Sequence, residues 1–328
     1  IELIDAENLV IIGDGATIYF QSNLKSNEGA IRAFLVKGSK KIKLENLKIE
    51  NINQENEYTG LYITKSSNVK IYNLNIQKAT WAGIAIFDSL EGNSNNIEIN
   101  NATIEYSRFG IVSNGYDISI KNSYISNHWS KSQEAQKQGE KPIWVDKPVD
   151  SRFYDGIIIK GENWSIINSI ITDNGQSGIY SGETNDGLIS GNTITENWNK
   201  GIDLGATKVE NVSSIFNISI ENNVVIDNKT GQIHFSNVEN SKIINNEVST
   251  IDTSYENTPS YKQPVIILNH ASIGNIISDN KVIQKYNGVP GIFLNKFSDK
   301  SINNTLENNQ IKASTKYEID PISNTMRE

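Results

Sequence analysis

Two sets of side chains in this sequence recur at fixed places in three successive copies of an internal repeat. The first set is acidic and stands seven positions after the first apolar residue of each copy: Asp173, Glu196 and Asp227. The second set takes the outward position of the strand that follows in each copy: Tyr180, Asp203 and His234. Carboxylates about 5 Å apart on stacked strands repel each other, which raises the pKa of at least one of them.

Carboxyl groups in such a column suit hydrolysis of a glycosidic bond. This reaction needs one protonated and one ionised carboxyl group, about 5 Å apart for retention or roughly 6.5–9.5 Å apart for inversion. The sequence therefore predicts four catalytic candidates, which are Asp203, Glu196, Asp173 and Asp155. Asp155 joins the set because it directly precedes Gly156, at the start of a strand.

A structural role stays open for the acidic set. Asp173, Glu196 and Asp227 belong to TDN, TEN and IDN phrases, where a carboxylate can accept hydrogen bonds from its own turn. The histidines have no metal-ligand spacing, so ordinary surface positions are the expectation for His128, His234 and His270. No metal site and no cofactor are predicted.

The repeat itself consists of pairs of apolar residues five positions apart. The pairs are Leu44/Ile49, Ile71/Ile76, Ile99/Ile104, Ile120/Ile125, Ile166/Ile171, Ile189/Ile194, Ile220/Val225, Ile243/Val248, Ile277/Val282 and Leu306/Ile311. Asparagine usually follows the first member by two positions, and a second asparagine comes next in the last five copies. A glycine then opens an alternating apolar strand, as in GIAI from Gly83 and GIDL from Gly201.

This pattern predicts an all-β, right-handed, single-stranded parallel β-helix of about ten or eleven coils. Alternation with period two indicates strands, and copies spaced about 21 to 34 residues apart fit a solenoid. Asparagine tolerates left-handed backbone and can bond the coils above and below as an amide ladder, which accounts for 45 asparagines. Glycine is expected at the strand entry because positive φ costs it little. We assign residues 1–312 to the β-helix and 313–328 to a C-terminal tail or cap.

One copy carries a long insertion between its asparagine turn and its glycine strand, residues 127–155. Insertions in a solenoid gather on one face, which is often the binding face. Aromatic rings stack on the flat faces of sugars, and several expected to be exposed lie near this turn, including Phe109 and Tyr62. The predicted substrate-binding residues are Trp81, Arg108, Trp129, Tyr154, Tyr180, Trp198, Lys200 and His234. Packing of the insertion as a cap remains an alternative.

Composition narrows the class of partner. The net charge is −8 without a basic cluster, which argues against nucleic acid and anionic membranes as partners. The chain has no cysteine, so disulfides and thiolate metal sites are excluded. No apolar run approaches the length of a membrane span. The sequence opens IELIDAENLV without an initiator methionine or a signal peptide, as an excised or processed fragment would.

The coil phrases and IIGDGATIYF near the start resemble the pectate-lyase-like β-helices of bacteriophage tailspike capsule depolymerases. The resemblance covers nearly the whole chain and is architectural. It implies a homotrimer at the virion tail, outside the host cell, that cleaves capsular or O-antigen polysaccharide. Phrases of this kind are shared by β-helix lyases, hydrolases, epimerases and adhesins.

A closer comparison is the polygalacturonase type, whose motifs are Asn-Thr-Asp-Gly, Asp-Asp and Gly-His-Gly in successive coils. This chain matches the first motif only at Asp155 and Gly156, has Gln176 and Ser177 in the second, and has Lys200 where the third has histidine. A galacturonase is therefore disfavoured, and the leading prediction is a glycan hydrolase with its carboxylates elsewhere on this face. The alternatives are a lyase or epimerase, with Lys160, Lys200 or Arg152 neutralising a uronate, and a non-catalytic carbohydrate-binding adhesin.

Overall fold

The computed structural model describes residues 1–20, 31–51, 58–87, 94–128, 154–205, 215–252, 262–295 and 300–327. In these ranges the regular structure is parallel β-strand, as the period-two pattern predicts, and each coil contributes strands to sheets 1, 2 and 3 in chain order. The chain divides into two compact units. The first unit comprises residues 1–159 with 173–176, and the second comprises 160–172 with 177–328.

The first unit builds three parallel sheets. Sheet 1 contains β1 (Glu2–Ile4), β4 (Ile31–Lys37), β7 (Tyr58–Thr64), β10 (Ala82–Phe87), β13 (Phe109–Ser113) and β16 (Ile157–Ile159). Sheet 2 contains β2 (Glu7–Ile12), β5 (Lys40–Glu45), β8 (Ser67–Tyr72), β11 (Asn95–Asn100) and β14 (Tyr116–Lys121). Sheet 3 contains β3 (Thr17–Phe20), β6 (Lys48–Asn51), β9 (Asn75–Gln77), β12 (Thr103–Glu105) and β15 (Tyr124–Ser126).

The second unit repeats this arrangement. Sheet 1 contains β19 (Ile179–Ser181), β22 (Ile202–Gly205), β25 (Ile233–Ser236), β29 (Ile266–Asn269), β32 (Pro290–Leu294) and β35 (Thr315–Glu318). Sheet 2 contains β17 (Gly161–Ile167), β20 (Thr184–Ser190), β23 (Ile215–Glu221), β26 (Val238–Glu239), β27 (Lys242–Ile244), β30 (Ile276–Ser278), β33 (Thr305–Glu307) and β36 (Thr325–Arg327). Sheet 3 contains β18 (Ile170–Thr172), β21 (Thr193–Thr195), β24 (Val224–Ile226), β28 (Glu247–Thr250), β31 (Lys281–Gln284) and β34 (Gln310–Lys312).

The core of each unit consists of inward aliphatic residues stacked in register. In sheet 2 of the first unit, Val69, Ile97 and Ile118 are direct cross-strand partners, and each is at most 1% exposed. Burial of each such side chain contributes about 1.5–3 kcal/mol. Because every coil places the same residue type at the same point, the apolar pairs of the sequence become continuous columns.

The asparagines take the backbone conformation that the sequence analysis predicts. Asn73, Asn101 and Asn222 follow strands of sheet 2 with φ of 54°, 56° and 58°. This left-handed region disfavours most side chains but costs asparagine little. The turn from sheet 2 to sheet 3 therefore recurs in coil after coil, and exposed amides bond along it, as from Asn101 to Asn73 at 2.7 Å.

The strand-entry glycines are required for a different reason than expected. None of the glycines that open sheet 1 strands, such as Gly83 and Gly178, has positive φ, so that expectation is wrong. A Cβ on Gly178 would lie 2.8 Å from the carbonyl oxygen of Gly201, and one on Gly83 would lie 2.8 Å from that of Gly110. Glycine is needed because adjacent coils approach too closely for a side chain.

Residues 313–328, predicted as a tail or cap, contribute β35 and β36, which pair with β32 and β33 in the second unit. Within the described ranges no helix is long and apolar enough to cross a membrane. Most of the predicted insertion, including Trp129, lies outside the described residues, as does Arg152.

Candidate functional site

Strands β22 and β25 of the second unit place Asp203 and His234 side by side. The two residues are direct cross-strand partners, and Tyr180 on β19 is the partner of Asp203 on its other side. Their inward neighbours Leu204 and Phe235 are fully buried. Strand alternation therefore directs the three polar side chains to the outer surface of sheet 1, in the order that the repeat predicts.

Asp203 is the centre of a compact polar cluster. Its Oδ2 lies 3.1 Å from Nζ of Lys200, and its Oδ1 lies 2.7 Å from Nδ1 of His234. Although its side chain points outward, Asp203 is only 8% exposed. A carboxylate so far removed from water is stable only when charged or hydrogen-bonding partners surround it, and Lys200 and His234 provide both.

Burial raises the pKa of Asp203, but its hydrogen bond to His234 and the positive charge of Lys200 lower it, and the lowering effect is the larger. The pKa therefore lies below the usual range for aspartate, and the carboxylate is ionised at neutral pH. Burial also lowers the pKa of His234, and the nearby charge of Lys200 acts in the same direction against the opposing effect of Asp203. His234 is therefore neutral at neutral pH.

Asn269 completes the cluster from the next strand, β29. Its Nδ2 lies 3.3 Å from Nε2 of His234. An ionised carboxylate can only accept a hydrogen bond, so Nδ1 of the neutral imidazole carries the proton and Nε2 is the acceptor. Asn269 was not among the residues predicted from the sequence. It lies two residues after Ile267, the outward partner of His234, so strand alternation could have placed it on the same face.

The acidic set lies in the turns that follow strands of sheet 3. Asp173, Glu196 and Asp227 have φ of 56°, 57° and 54°, so all three occupy left-handed turn positions. Oδ1 of Asp227 accepts hydrogen bonds from the backbone N–H groups of Ile251 at 2.6 Å and Asp252 at 2.9 Å. The Asp227 carboxylate thus stabilises its turn, which is the structural alternative given in the sequence analysis. The Glu196 side chain, by contrast, is exposed.

Asp155 and Tyr154 lie in the first unit. Asp155 is 4% exposed, and its backbone carbonyl accepts a hydrogen bond from the N–H of Gly110 at 3.3 Å. The carbonyl of Tyr154 accepts one from the N–H of Gln176 at 3.2 Å, and its side chain is half-buried. Among the described residues, no group of three or more His, Asp or Glu side chains is arranged to hold a metal ion.

Several of the predicted aromatic contacts pack against one another in the first unit. Trp81 stacks on Phe87 with ring centroids 5.9 Å apart, and Phe87 stacks on Tyr62 at 5.8 Å. Trp81 also meets the edge of Phe109 at 6.1 Å. Phe109 is 4% exposed, so the expectation of an exposed ring at this position is wrong. We call these four rings the aromatic stack.

Arginine side chains lie over both ends of the aromatic stack. The Arg32 guanidinium is 4.2 Å from the ring centre of Tyr62, and that of Arg108 is 5.6 Å from the ring centre of Phe109. Such cation–π contacts add about 0.5–2 kcal/mol each. In the second unit, Trp198 and Lys200 are half-buried in the turn before β22.

His128 departs most from its expected surface position. It is fully buried, and its Nδ1 accepts a hydrogen bond from the N–H of Ser107 at 3.1 Å. Burial lowers its pKa to about 3. His128 directly follows Asn127, whose φ is 61°, and therefore takes the buried turn position that Asn197 and Asn228 fill in the second unit. Alignment of the repeat at this position could have revealed its burial.

Comparison with known proteins agrees with this architecture. The model of the right-handed β-helix region matches residues 90–282 and 155–326, which together span more than half of the chain. The chain is also 35% identical over 193 residues to the tail spike protein of Salmonella phage epsilon15. That match covers 56% of this chain and 17% of the phage protein, so the chain spans only a small part of its relative.

Solved structures show the same fold at low sequence identity. The Dettilon tailspike protein superimposes with a TM-score of 0.66 at 20% identity, covering 98% of this chain and 62% of that chain. The A-module of the mannuronan C-5 epimerase AlgE6 from Azotobacter vinelandii gives 0.65 at 10% identity over 90% and 75% of the two chains. PfbA, a surface adhesin of Streptococcus pneumoniae, gives 0.62 at 14% identity over 100% and 85%.

The resemblance to phage tailspike β-helices is thus confirmed by a sequence relative and by a solved structure. Parallel coils, three sheets in each unit and the family match agree on the handedness and the class of the fold. The chain belongs to the right-handed β-helix family.

Proposed function

We propose that this chain is the β-helix of a tailspike that hydrolyses glycosidic bonds in a bacterial capsular or O-antigen polysaccharide. The observation that carries the proposal is the Asp203 carboxylate, which is buried on the outer face of sheet 1 and held ionised by Lys200 and His234. Charged groups with perturbed pKa values concentrate at functional sites. The phage tail spike relative supports a place at the virion tail, and the substrate class is what the tailspike resemblance implies.

In this proposal Asp203 supplies the negative charge of the site, and a second carboxyl group donates a proton to the departing oxygen. Glu196 is the leading proton donor, because its side chain is exposed on the turn that leads to β22. Asp173 and Asp155, the further acid candidates, lie in the first unit, and the proposed site of the second unit is built without them. The negative charge of Asp203 also favours the oxocarbenium-like transition state of glycoside cleavage.

The glycan contacts in the proposal combine aromatic and polar side chains. Tyr180, Trp198, Lys200 and His234 surround or adjoin Asp203 in the second unit. In the first unit, Trp81, Arg108 and Tyr154 are separate candidates for glycan contact, through the parts of their side chains that packing leaves exposed. A homotrimer is proposed as the assembly, in keeping with the tailspike resemblance.

The test is digestion of purified capsules and O-antigens from a panel of host strains, with mass spectrometry of the products. Oligosaccharides with new reducing ends, each bond cleaved with addition of one water, are the expected result. Glu196→Gln should abolish their formation while leaving the thermal melt nearly unchanged, because the side chain is exposed. Binding without any product over long incubation would instead identify a carbohydrate-binding adhesin.

A polysaccharide lyase or epimerase is the second candidate, and one observation favours it. The cluster pairs a cation, Lys200, with a neutral imidazole, His234, and these are the groups that neutralise a uronate and abstract its adjacent proton. A lyase would release unsaturated products that absorb ultraviolet light, without uptake of water. An epimerase would change the sugar configuration while leaving the chain length intact.

A further inference from the structure

We infer that His234 is the proton acceptor of this site, and that Asp203 and Asn269 are positioning residues that fix its tautomer. This inference rests on the proposed function, because it assigns the proton transfer of the proposed reaction. It adds to the role of Asp203: besides supplying negative charge, the carboxylate orients the His234 ring and favours its protonation.

The tautomer follows from the two hydrogen bonds of the ring. Asp203 Oδ1 lies 2.7 Å from Nδ1, and since a carboxylate has no proton to give, the ring must donate there. Nε2 then keeps its lone pair. The Asn269 amide reaches it only at 3.3 Å, longer than the usual N–H···N or N–H···O contact, so that bond is weak and readily displaced.

Asp203 is poorly placed to be the reacting base itself. Both of its oxygens are already engaged, Oδ2 by the Lys200 ammonium and Oδ1 by the His234 ring. Its side chain is 12% exposed, as is that of His234. The Asp203 oxygens lie 3.1 and 2.7 Å from their partners, whereas Nε2 of His234 lies 3.3 Å from the Asn269 amide. Nε2 is therefore the basic atom of this pair that is held least tightly.

The charges that face His234 set its readiness to accept a proton. Burial, Lys200 and His270 disfavour the imidazolium, whereas Asp203 favours it. The ring is therefore unprotonated at neutral pH, and the imidazolium formed during a proton transfer rests against the Asp203 carboxylate. This pairing of a basic nitrogen with a buried carboxylate is a recurrent way to build a general base.

In the proposed hydrolysis, Nε2 takes a proton from a water molecule while the water oxygen bonds to the anomeric carbon. The glycosidic C–O bond breaks, and its electron pair goes to the departing oxygen. That oxygen takes a proton from the Glu196 carboxyl group. Release of the proton from the imidazolium to solvent and its return to Glu196 restore the site.

The first test needs no substrate. The chain has only three histidines, so ¹⁵N-labelled histidine gives three resolvable imidazole spin systems, and His234→Gln identifies the one in question. The expected result is a neutral ring protonated at Nδ1, with a pKa below that of free histidine. Asp203→Asn should remove the preference for this tautomer. A wild-type ring protonated at Nε2 would overturn the inference.

The second test uses turnover. His234→Gln should lower kcat/KM by about 100-fold or more, the usual contribution of a general base. Asn269→Ala should retain turnover but move the acid limb of the pH profile to higher pH, because the hydrogen bond it removes favours the neutral ring. A purely structural role of Asn269 would leave that limb in place. The matched control is Asn101→Gly, which removes an exposed asparagine side chain in the first unit, keeps a residue compatible with its left-handed backbone (φ 56°), and should keep wild-type turnover and pH profile.

The outcomes separate this inference from the proposed function. If every wild-type digest lacks cleaved product, the proposed hydrolysis fails and so does the assignment of a reacting base. If the wild type cleaves a glycan and folded His234→Gln cleaves it equally well, the proposed function stands and the inference is wrong.

Discussion

The outward column of sheet 1 carries different chemistry in the two units. In the first unit Glu2 on β1 is its one charged member, and the partners that follow are uncharged: Leu35, Tyr62, Ala85, Val112 and Ile158. In the second unit an acid and an imidazole are adjacent in the column, whose members are Tyr180, Asp203, His234, Ile267, Phe293 and Glu318. The backbone is the same, so the difference shows that the coil fixes where a side chain points and leaves its chemistry free.

The turn between sheets 2 and 3 differs in the same way. The residue after the left-handed position is Leu47, Leu74, Ala102 or Ser123 in the first unit. In the second unit it is Ser169 in the first turn and asparagine in the later ones, and the amides of Asn192, Asn223, Asn246, Asn280 and Asn309 bond one another from coil to coil. This interior position is therefore filled mainly by apolar side chains in the first unit and mainly by hydrogen-bonded amides in the second.

The largest expected effect falls on the polar column of the second unit. Asp203→Asn should lower kcat/KM for glycan cleavage by about 10³-fold, because it removes the charge that orients and stabilises the His234 ring. The measurement is initial rate on the polysaccharide identified by the capsule panel. Ile267→Val, in the same column, is the control and should cleave normally. Full activity in Asp203→Asn would remove the functional contrast between the columns.

The interior amide ladder should show the largest change in stability. Asn223→Ala removes four side-chain hydrogen bonds, two donated by Asn223 and two accepted from Asn192. We expect the free energy of unfolding to fall by about 4 to 6 kcal/mol, since buried donors on Asn192 lose their acceptor. Urea denaturation gives the value, and Asn73→Ser on the exposed ladder of the first unit is the control. Equal losses in both variants would contradict the contrast.

His128 should make the stability of the first unit sensitive to acid. Its folded-state pKa is about 3, below the value of about 6.5 expected in the unfolded chain. The stability that the neutral ring contributes is therefore complete above pH 6.5 and is lost as the pH falls toward 3, about 5 kcal/mol in all. Urea denaturation at a series of pH values measures this loss.

A matched variant isolates the histidine from other acid-sensitive groups. His128→Asn puts in the residue that the second unit uses at this position, in Asn197 and Asn228. Its unfolding free energy should depend less steeply on pH between 6.5 and 3 than that of the wild type. The same slope in both proteins would show that another group accounts for the acid sensitivity.

The aromatic stack should affect stability more than function. Phe87 lies between Tyr62 and Trp81, with ring centroids 5.8 and 5.9 Å away. Because the ring is only partly buried, Phe87→Ala should lower the unfolding free energy by about 2 kcal/mol, and kcat/KM should fall far less than in Asp203→Asn, through the altered support of Trp81 alone. Phe87→Tyr keeps the stacking and serves as the control. A loss of turnover in well-folded Phe87→Ala as large as that in Asp203→Asn would contradict this ranking.

Much of the fold was predictable because its signals are local and repeated. The pairs five residues apart predicted strands of sheets 2 and 3, and Asn73 and Asn222 adopt the left-handed turns expected of them. The strand-entry glycines were located correctly but explained wrongly. Glycine is required there because a side chain would collide with a backbone carbonyl of the next coil, which comes from a residue far away in the sequence.

The candidate site was predictable only in part. Reading the copies in register placed Asp203 beside His234, and the structure has them as cross-strand partners. The alignment of the repeats could not predict which turn carboxylates accept hydrogen bonds from the backbone, as the Asp227 carboxylate does. Nor could it show that Phe109 and His128 are buried, because burial depends on neighbouring coils.

The sequence alone determined the repeating architecture of this protein, because every coil must bury its own apolar pair against identical neighbours. Tertiary structure decided which polar atoms meet. Lys200 contacts Asp203, and Asn269 contacts His234 although it lies 35 residues further along the chain. The spacing of residues in the sequence does not specify these side-chain distances. Hydrogen bonds depend on tenths of an ångström and on direction, and only the packed coils fix these.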